Sequence, residues 1–242
     1  MQLFVKPDRS MTNPTILITG ANRGIGLELT DQFSADGWQV LACCRNPDNA
    51  PELQGLSNAR SGVEVHALEV TDYEQMPALS ARLAGRPIDI LLSNAGIYGP
   101  RGAVFGEVEP ASWRKVFEVN TIAPLMLAQA FVEQVAASRQ KLMAVISSKM
   151  GSIADNGSGG SYIYRSSKTA VNQVVKSLSI DLAGRGIAVV TLHPGWVRTD
   201  MGGAGAETGV GDSVSGLKGI LQSAGIAQSG QFFEFSGNSI PW

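Results

Sequence analysis

The feature that most constrains the fold is a regular alternation of strand-like and helix-like segments along the chain. Short apolar runs of strand length lie at residues 15–19, 38–44, 63–68, 88–93, 142–147, 187–192 and 231–235. Helical patterns follow the first run and also occupy residues 73–84, 110–138, 161–185 and a shorter segment after residue 211. Strands that alternate with helices form a parallel sheet covered on both faces. We therefore predict a doubly wound α/β fold with a parallel seven-stranded sheet.

Composition and charge exclude several other classes of protein. Apolar residues make up 44% of the 242 residues, and no linker, repeat or low-complexity segment divides the chain, so we predict a single domain over 1–242 with 1–13 as an N-terminal extension. A net charge of −2 without a basic stripe argues against a nucleic-acid partner. The longest apolar run, 122–132, is too short to cross a membrane.

The cysteines and the first residues of the chain indicate the cellular compartment of the protein. Cys43 and Cys44 are adjacent, so they are poorly placed to bridge each other and are interpreted as reduced packing residues. The first ten residues lack the apolar core of a signal peptide. We expect a cytoplasmic protein.

A glycine-rich loop, Gly20-Ala-Asn-Arg-Gly24-Ile-Gly26, directly follows the first predicted strand. In a doubly wound sheet this loop faces the pyrophosphate of a dinucleotide, because glycines let the backbone approach and the next helix begins with free N–H groups. The spacing G-x-x-x-G-x-G differs from the general fingerprint G-x-G-x-x-G. A tight strand-to-helix turn without a ligand is the alternative.

Tyr164 and Lys168 lie four residues apart at the start of a predicted helix, and hence on one face of it. A phenol has a reference pKa of about 10, and a neighbouring ammonium is expected to lower it toward the range useful for general acid–base catalysis. Of the four tyrosines, only Tyr164 has a lysine at the fourth place. An ordinary pair on a helix surface is the alternative.

Six motifs occur together in the order and spacing of one known family. They are Thr19-Gly20-x-x-x-Gly24-x-Gly26, Asn94-Ala95-Gly96, Asn120, Ser147-Ser148, Tyr164-x-x-x-Lys168 and Pro194-Gly195. From residue 15 to its end, the chain resembles the short-chain dehydrogenases/reductases, whose single domain is a Rossmann fold. Residues 159–168, 193–203 and 240–242 are similar to its carbonyl-reductase-like branch, which includes the C-factor and sniffer proteins.

The resemblance implies four catalytic residues. Tyr164 would protonate the carbonyl oxygen, and Lys168 would lower the pKa of Tyr164 and bind the nicotinamide ribose. Ser148 would orient the carbonyl, with Ser147 as a structural neighbour. Asn120 would hold a water molecule of a proton relay, although an asparagine close to a helix proline is also typical of a helix irregularity.

The resemblance also implies a set of cofactor contacts. They are Gly20, Asn22, Arg23, Gly24, Ile25, Gly26, Arg45, Glu69, Val70, Asn94, Ala95, Gly96, Tyr164, Lys168, Pro194, Gly195, Val197 and Thr199. The second strand ends at Arg45 without a carboxylate, which favours the 2′-phosphate of NADP(H), with Arg23 as the second cation. Two solvated arginines without a ligand are the alternative.

The sequence departs from the family pattern at three places. Ser93 stands where many members have asparagine, and Glu69 stands where aspartate commonly contacts the adenine. The spacer between Ser148 and Tyr164 is long and glycine-rich, and we expect it to form a mobile part of the pocket wall. The expected wall residues of the substrate pocket are Tyr98, Met150, Ile153, Trp196 and Met201, with core packing as the alternative for Ile153.

These observations lead to an NADPH-dependent reductase of a ketone or aldehyde that binds a small carbonyl or alcohol substrate. An NAD(P)-dependent alcohol dehydrogenase working in the oxidative direction, and a cofactor-binding signalling factor with little turnover, are the alternatives. His66 and His193 lack ligand neighbours at metal-binding spacing, so no metal site is expected. The predicted helices at 110–138 and 161–185 are apolar on more than one face, which predicts a homodimer or homotetramer.

Overall fold

A computed structural model describes residues 13–101 and 104–242 of the chain. The predicted extension 1–13 therefore lies almost entirely outside the described residues. The strands are β1 (Thr15–Thr19), β2 (Gln39–Cys44), β3 (Val63–Ala67), β4 (Ile90–Ser93), β5 (Leu142–Ile146), β6 (Ala188–His193) and β7 (Phe232–Glu234). The helices are α1 (Gly24–Ala35), α2 (Pro51–Ala59), α3 (Gln75–Arg82), α4 (Pro110–Phe117), α5 (Ala123–Ala136), α6 (Tyr162–Asp181) and α7 (Val210–Ser223).

The strands form one seven-stranded sheet in the order β3-β2-β1-β4-β5-β6-β7. Every pair of neighbouring strands is parallel, which confirms the predicted doubly wound Rossmann fold. Ile16 and Ile18 pack into the hydrophobic cluster on one face of the sheet, and Leu17 packs into the cluster on the other. The chain order reverses between β1 and β4, so the loops that follow these two strands meet at the edge where such sheets bind ligands.

The segment between β2 and β3 differs from the sequence prediction. No helical pattern was predicted between residues 44 and 63, but Pro51–Ala59 forms the helix α2. Pro51 stands at its first turn, where a missing N–H costs nothing. Leu53 is its one buried residue, so the apolar stripe that identifies a helix in a sequence is almost absent. The other elements differ from their predicted bounds by a few residues at their ends.

The long helix predicted at residues 110–138 is interrupted in its middle. A π-helical turn, Glu118–Ile122, separates α4 from α5. Pro124 has no N–H to donate to the carbonyl of Asn120 four residues earlier, which explains why the regular helix fails at this point. π-Helical turns are frequent at functional sites, and Asn120 lies in this one.

Two sequence-based expectations concern membranes and disulfides. Among the described residues, no helix combines the length and the apolar character needed to cross a bilayer. Cys43 and Cys44 are both buried with free thiols. Cys44 belongs to the core cluster with Ile16 and Ile18, and Cys43 to the cluster with Leu17, so both cysteines act as packing residues.

Candidate active site

The glycine loop joins the end of β1 to the start of α1 in a backbone conformation that depends on glycine. Gly20 and Gly24 have φ angles of 67° and 54°, in the left-handed region. A Cβ atom at Gly26 would lie 2.2 Å from the carbonyl oxygen of Gly20. Asn94, which follows β4, donates hydrogen bonds from its amide to the carbonyl oxygens of Thr19 at 2.8 Å and Gly20 at 3.2 Å. The loop is therefore fixed against the end of β4.

This loop presents the N-terminus of α1 to the edge of the sheet. Arg23 is the N-cap residue, and within the described chain its side chain makes no capping hydrogen bond. The N–H groups of the first helical turn are therefore free of side-chain partners and can bind an anion. The loop after β4 lies directly beside the end of β1, because the Ala95 N–H donates a hydrogen bond to the Thr19 hydroxyl at 3.1 Å. The residues present fit the pyrophosphate of a dinucleotide.

The four predicted catalytic residues are all buried beside this edge. Lys168 donates from Nζ to the carbonyl oxygen of Ile146, at the end of β5, at 2.9 Å. Its Nζ also lies 5.8 Å from the centre of the Tyr164 ring. Ser148 follows β5 and accepts a hydrogen bond from the Met150 N–H at 3.2 Å. The structure thus places Ser148, Tyr164 and Lys168 around the end of β5.

Asn120 connects three elements of the site. Its amide donates to the carbonyl oxygen of Ile97 at 2.8 Å and to the Ser167 hydroxyl at 3.0 Å, and its Oδ1 accepts from the Ile97 N–H at 2.9 Å. A Cβ atom at Gly96 would lie 3.3 Å from Asn120 Oδ1 and 3.6 Å from Lys168 Nζ. Asn120 therefore fixes the loop after β4 against α6, and Gly96 leaves room for both side chains.

The two neighbouring serines have different surroundings. The Ser147 hydroxyl donates to Asn172 Oδ1 at 2.7 Å within α6, inside the protein. Both serines belong to the cavity lining, and Ser148 is the one that hydrogen-bonds the Tyr164 hydroxyl. The assignment of Ser148 to the ligand and of Ser147 to a structural role stays a prediction.

The protonation states differ from the sequence-based expectation. Burial raises the pKa of Tyr164 to about 12, and hydrogen bonding to Ser148 offsets only part of this rise. The same burial lowers the pKa of Lys168 to about 8. The pKa of Tyr164 is thus raised rather than lowered, because desolvation is its largest cause, and the role of Lys168 in stabilising the phenolate stays a prediction. At neutral pH, Tyr164 is a neutral phenol that can donate a proton.

A cavity of about 480 Å³ opens above these residues. Four of the five predicted wall residues line it: Tyr98, Met150, Trp196 and Met201. The prediction for Ile153 is wrong, because its side chain is 72% exposed and lies outside the cavity wall. The predicted cofactor contacts Ile25, Pro194, Gly195, Val197 and Thr199 line the same cavity.

The glycine-rich spacer before α6 lies beside this cavity. Arg165 donates to the Ser158 hydroxyl at 2.8 Å, to the carbonyl oxygen of Gly159 at 3.2 Å and to that of Met150 at 3.3 Å. Met150 lines the cavity, whereas Ser158 and Gly159 do not. The Arg165 side chain therefore anchors the spacer to α6, and the spacer lies behind the Met150 side of the cavity wall.

Three basic residues of the cavity wall were not predicted from the sequence. Arg101, Lys149 and His193 line it, and none of the described lining residues is acidic. Burial lowers the pKa of His193 to about 4, so its imidazole is neutral at neutral pH. These residues come from three separate loops or strand ends, and only the sheet topology brings them together. The described part of the chain holds no cluster of three metal-ligating side chains.

The two predicted phosphate-binding arginines are both paired with carboxylates. Arg45 Nη1 lies 3.5 Å from Glu69 Oε2, and Arg23 Nη1 lies 3.0 Å from Asp200 Oδ2. Glu69 also accepts a hydrogen bond from the Thr71 hydroxyl at 3.1 Å. Both arginine side chains are largely exposed, and exposed ion pairs contribute only about 0–1 kcal/mol. A phosphate group can therefore compete for either arginine.

The remaining predicted cofactor contacts lie next to this edge. Asn22 is half-buried within the glycine loop itself, between Ala21 and Arg23. Val70 follows Glu69 and packs against the hydrophobic cluster that contains Leu17. Both residues lie at the carboxyl ends of strands, Asn22 after β1 and Val70 after β3.

Comparisons with known proteins give one consistent result. The family model for short chain dehydrogenases matches residues 14–210. The C-signal protein of Myxococcus xanthus is 38% identical over 167 residues, which cover 69% of this chain and 100% of that protein. Among solved structures, the NADPH-bound carbonyl reductase from chicken fatty liver superposes with a TM-score of 0.89 at 35% identity, covering 96% of this chain and 100% of that one. The carbonyl reductase Sniffer of D. melanogaster gives a TM-score of 0.89 at 34% identity with the same coverage.

Proposed function

We propose that this chain, which belongs to the short-chain dehydrogenase family, is an NADPH-dependent reductase of a ketone or aldehyde. The observation that carries the proposal is the buried, neutral phenol of Tyr164, which lies beside Lys168 and lines a cavity large enough for a small substrate. The similar carbonyl reductase structures, one of them bound to NADPH, support the same assignment.

The residues of the site divide the work as follows. NADPH, when bound, supplies the hydride that the carbonyl carbon accepts. The Tyr164 hydroxyl donates its proton to the carbonyl oxygen as negative charge develops there, and the Ser148 hydroxyl donates a hydrogen bond to the same oxygen. Lys168 stabilises the phenolate that remains on Tyr164. Asn120 holds the loop after β4 against α6, the helix that carries Tyr164 and Lys168.

A different group of residues would hold the cofactor. The free N–H groups at the start of α1 would bind the pyrophosphate, and Gly20, Gly24 and Gly26 would allow its approach. Arg45 and Arg23 would bind the 2′-phosphate by exchanging their present carboxylate partners for it.

The protonation state of Tyr164 favours reduction over oxidation. Reduction uses the protonated phenol, which predominates at every pH below a pKa of about 12. Oxidation of an alcohol needs the phenolate as base, and this form is scarce at neutral pH and increases as the pH rises. The oxidative direction therefore remains the weaker candidate and becomes competitive only in alkaline solution.

A signalling role is the second candidate from another class of protein. It is favoured by the similarity to the C-signal protein of Myxococcus xanthus. A protein that only binds the cofactor has no need for a proton donor, whereas this chain retains Asn120, Ser148, Tyr164 and Lys168 together in one site. The retained set supports an enzyme.

Turnover with a panel of carbonyl compounds separates these candidates. We expect the purified protein to consume NADPH in the presence of at least one aldehyde, ketone or dicarbonyl, and to do so more slowly with NADH. The measurement is the loss of nicotinamide absorbance in initial-rate assays. Tight NADPH binding without turnover on any compound of a broad panel would contradict the reductase and favour the signalling role.

We further propose that the chain forms a symmetric homodimer or a tetramer through α4, α5 and α6. Val116, Leu127 and Val171 are buried within the chain, yet Ile122 is 46% exposed. Further apolar residues on these helices are only half-buried, namely Phe117, Val119, Leu125, Val174 and Leu178. A second apolar face needs a partner surface, and a second copy of the chain provides one.

Light scattering at micromolar concentration is expected to return twice or four times the mass of the chain. Ile122→Asp should shift the protein toward the monomer, because it would bury two carboxylates near the symmetry axis. Ile226→Asp changes an equally apolar residue, 56% exposed and outside these helices, and should leave the mass unchanged. A monomeric wild-type protein would refute the proposed assembly.

A further inference from the structure

The loop after β4 places a second tyrosine directly against the proposed general acid. The Tyr98 and Tyr164 rings are stacked, with centroids 4.5 Å apart and planes inclined by 25°. Offset stacking of this kind is attractive beyond the area that it buries. Both rings line the cavity, and Tyr164 itself is almost fully buried. The Tyr98 ring therefore covers one side of the acid and keeps water from it.

The Tyr98 hydroxyl makes a separate contact with the beginning of α6. It lies 3.0 Å from the Ser161 hydroxyl, a hydrogen-bonding distance. Ser161 is the N-cap residue of α6 and has a φ of 46°, in the left-handed region that disfavours residues other than glycine. Its side chain makes no hydrogen bond to the backbone of α6 in the described structure. The hydroxyl of Tyr98 thus holds a strained residue at the point where the catalytic helix begins.

Tyr98 is itself held in place by its neighbours. Gly99 has a φ of 83°, and a Cβ atom there would lie 2.8 Å from Val116 Cγ2. The guanidinium carbon of Arg101 lies 5.7 Å from the centre of the Tyr98 ring, within cation–π range, and Arg101 donates a hydrogen bond to the carbonyl oxygen of Met201. Because the Tyr98 ring is held by these contacts, it can fix the position of the Tyr164 ring that stacks on it.

We propose that Tyr98 is a positioning residue for the general acid: its ring fixes the Tyr164 ring in a water-excluded stack, and its hydroxyl fixes the start of α6 through Ser161. The inference rests on the proposed function of Tyr164 and adds a requirement that this function does not contain. If Tyr98 only lined the cavity, any apolar side chain at position 98 would serve as well.

The Tyr98 ring should also control the ionisation of Tyr164. The titratable and charged groups around this ring are Tyr98 and Arg101 from the loop after β4, Lys168 from α6, and Lys149 and His193 from the opposite wall. Burial is the main reason that the pKa of Tyr164 is raised. Removing the Tyr98 ring admits water, so the pKa should fall toward the value of about 10 for a free phenol.

The test compares Tyr98→Phe and Tyr98→Leu with the matched control Tyr162→Phe, which alters a tyrosine that is 41% exposed. Tyr98→Leu should lower kcat by about tenfold or more, because even small misplacement of a reacting group is costly. Its reductive pH profile should lose activity from about pH 10 upward, whereas the wild-type profile should still be flat there. Tyr98→Phe keeps the stack, so it should keep the wild-type profile and lose kcat only a few-fold.

Ser161→Ala removes the other partner of the hydroxyl contact. Because both single variants break the same hydrogen bond, the double variant Tyr98→Phe/Ser161→Ala should be no slower than Tyr98→Phe alone. Tyr162→Phe should match the wild type in kcat and in pH profile. KM for NADPH should stay unchanged in all of these variants.

Ultraviolet titration of the tyrosines tests the same inference without turnover. The step that is lost in Tyr164→Phe identifies Tyr164, and this step should move to lower pH in Tyr98→Leu but not in Tyr98→Phe. An unmoved step, or a folded Tyr98→Leu with wild-type kcat and pH profile, overturns the role of Tyr98. A wild-type protein that reduces no carbonyl refutes the proposed function instead, and the titration still decides whether Tyr98 controls the ionisation of Tyr164.

Discussion

Tyr164→Phe is expected to lower kcat for carbonyl reduction by about 10²–10⁴-fold, the size typical of general acid–base catalysis. The substitution removes one oxygen atom from a buried ring that otherwise keeps its stack on Tyr98. The phenol acts on the substrate and not on the phosphates, so Kd for NADPH should remain nearly unchanged. Initial rates under saturating NADPH and a fluorescence titration of the cofactor measure the two quantities separately.

Tyr162→Phe is the matched control for this experiment. It removes the same oxygen from a tyrosine two residues earlier on α6, whose side chain is 41% exposed. We expect wild-type kcat and Kd for this variant. If Tyr164→Phe retained turnover within a factor of a few of the wild type, another group would have to donate the proton, and the proposed mechanism would be wrong.

The sequence predicts most of the fold because its central strands are buried on both faces. In β1 and β5 every residue is buried, and such continuous apolar runs stand out against the polar loops. The helix α2 escapes prediction because it buries only Leu53. The π-helical turn before Pro124 was indicated only as a helix irregularity near a proline, since a proline removes one hydrogen bond but does not reveal how the backbone repairs the loss.

The site is predictable as far as its residues lie close together in sequence. Tyr164 and Lys168 occupy neighbouring turns of one helix, and the glycine loop is a single short segment. Contacts across the fold are different: Arg23 meets Asp200, 177 residues later, and Tyr98 meets Ser161, 63 residues later. The raised pKa of Tyr164 has the same origin, because its largest cause is burial by residues that are distant in the sequence.

The preference between NADPH and NADH depends on what Arg45 does with Glu69. Arg45 directly follows β2, and its side chain is 81% exposed while it contacts Glu69 at 3.5 Å. A guanidinium can donate two hydrogen bonds to a phosphate, and a bond of this kind to a charged group contributes roughly 1.5–3 kcal/mol. An exposed ion pair contributes about 0–1 kcal/mol, so the 2′-phosphate should displace the Glu69 carboxylate as the partner of Arg45.

Arg45→Ala is therefore expected to raise Kd for NADPH about ten- to a hundredfold, since 1.4 kcal/mol corresponds to a factor of ten. Kd for NADH should remain almost unchanged, because NADH has no 2′-phosphate for the arginine to contact. Titration calorimetry with the two cofactors gives both values. Arg60→Ala is the control, because Arg60 also pairs with a carboxylate, that of Asp31. Arg60 follows α2 and precedes β3, so it lies at the opposite edge of the sheet from the proposed cofactor site.

Glu69→Gln tests the competition from the other side. It removes the charge that holds Arg45 and repels a phosphate, and the amide can still accept the hydrogen bond from Thr71 that the carboxylate accepts now. Kd for NADPH should fall a few-fold relative to Kd for NADH, because any change at the adenine affects both cofactors alike. Equal weakening of both cofactors by Arg45→Ala, or a wild-type protein that binds NADH as tightly as NADPH, would show that Arg45 does not bind the 2′-phosphate.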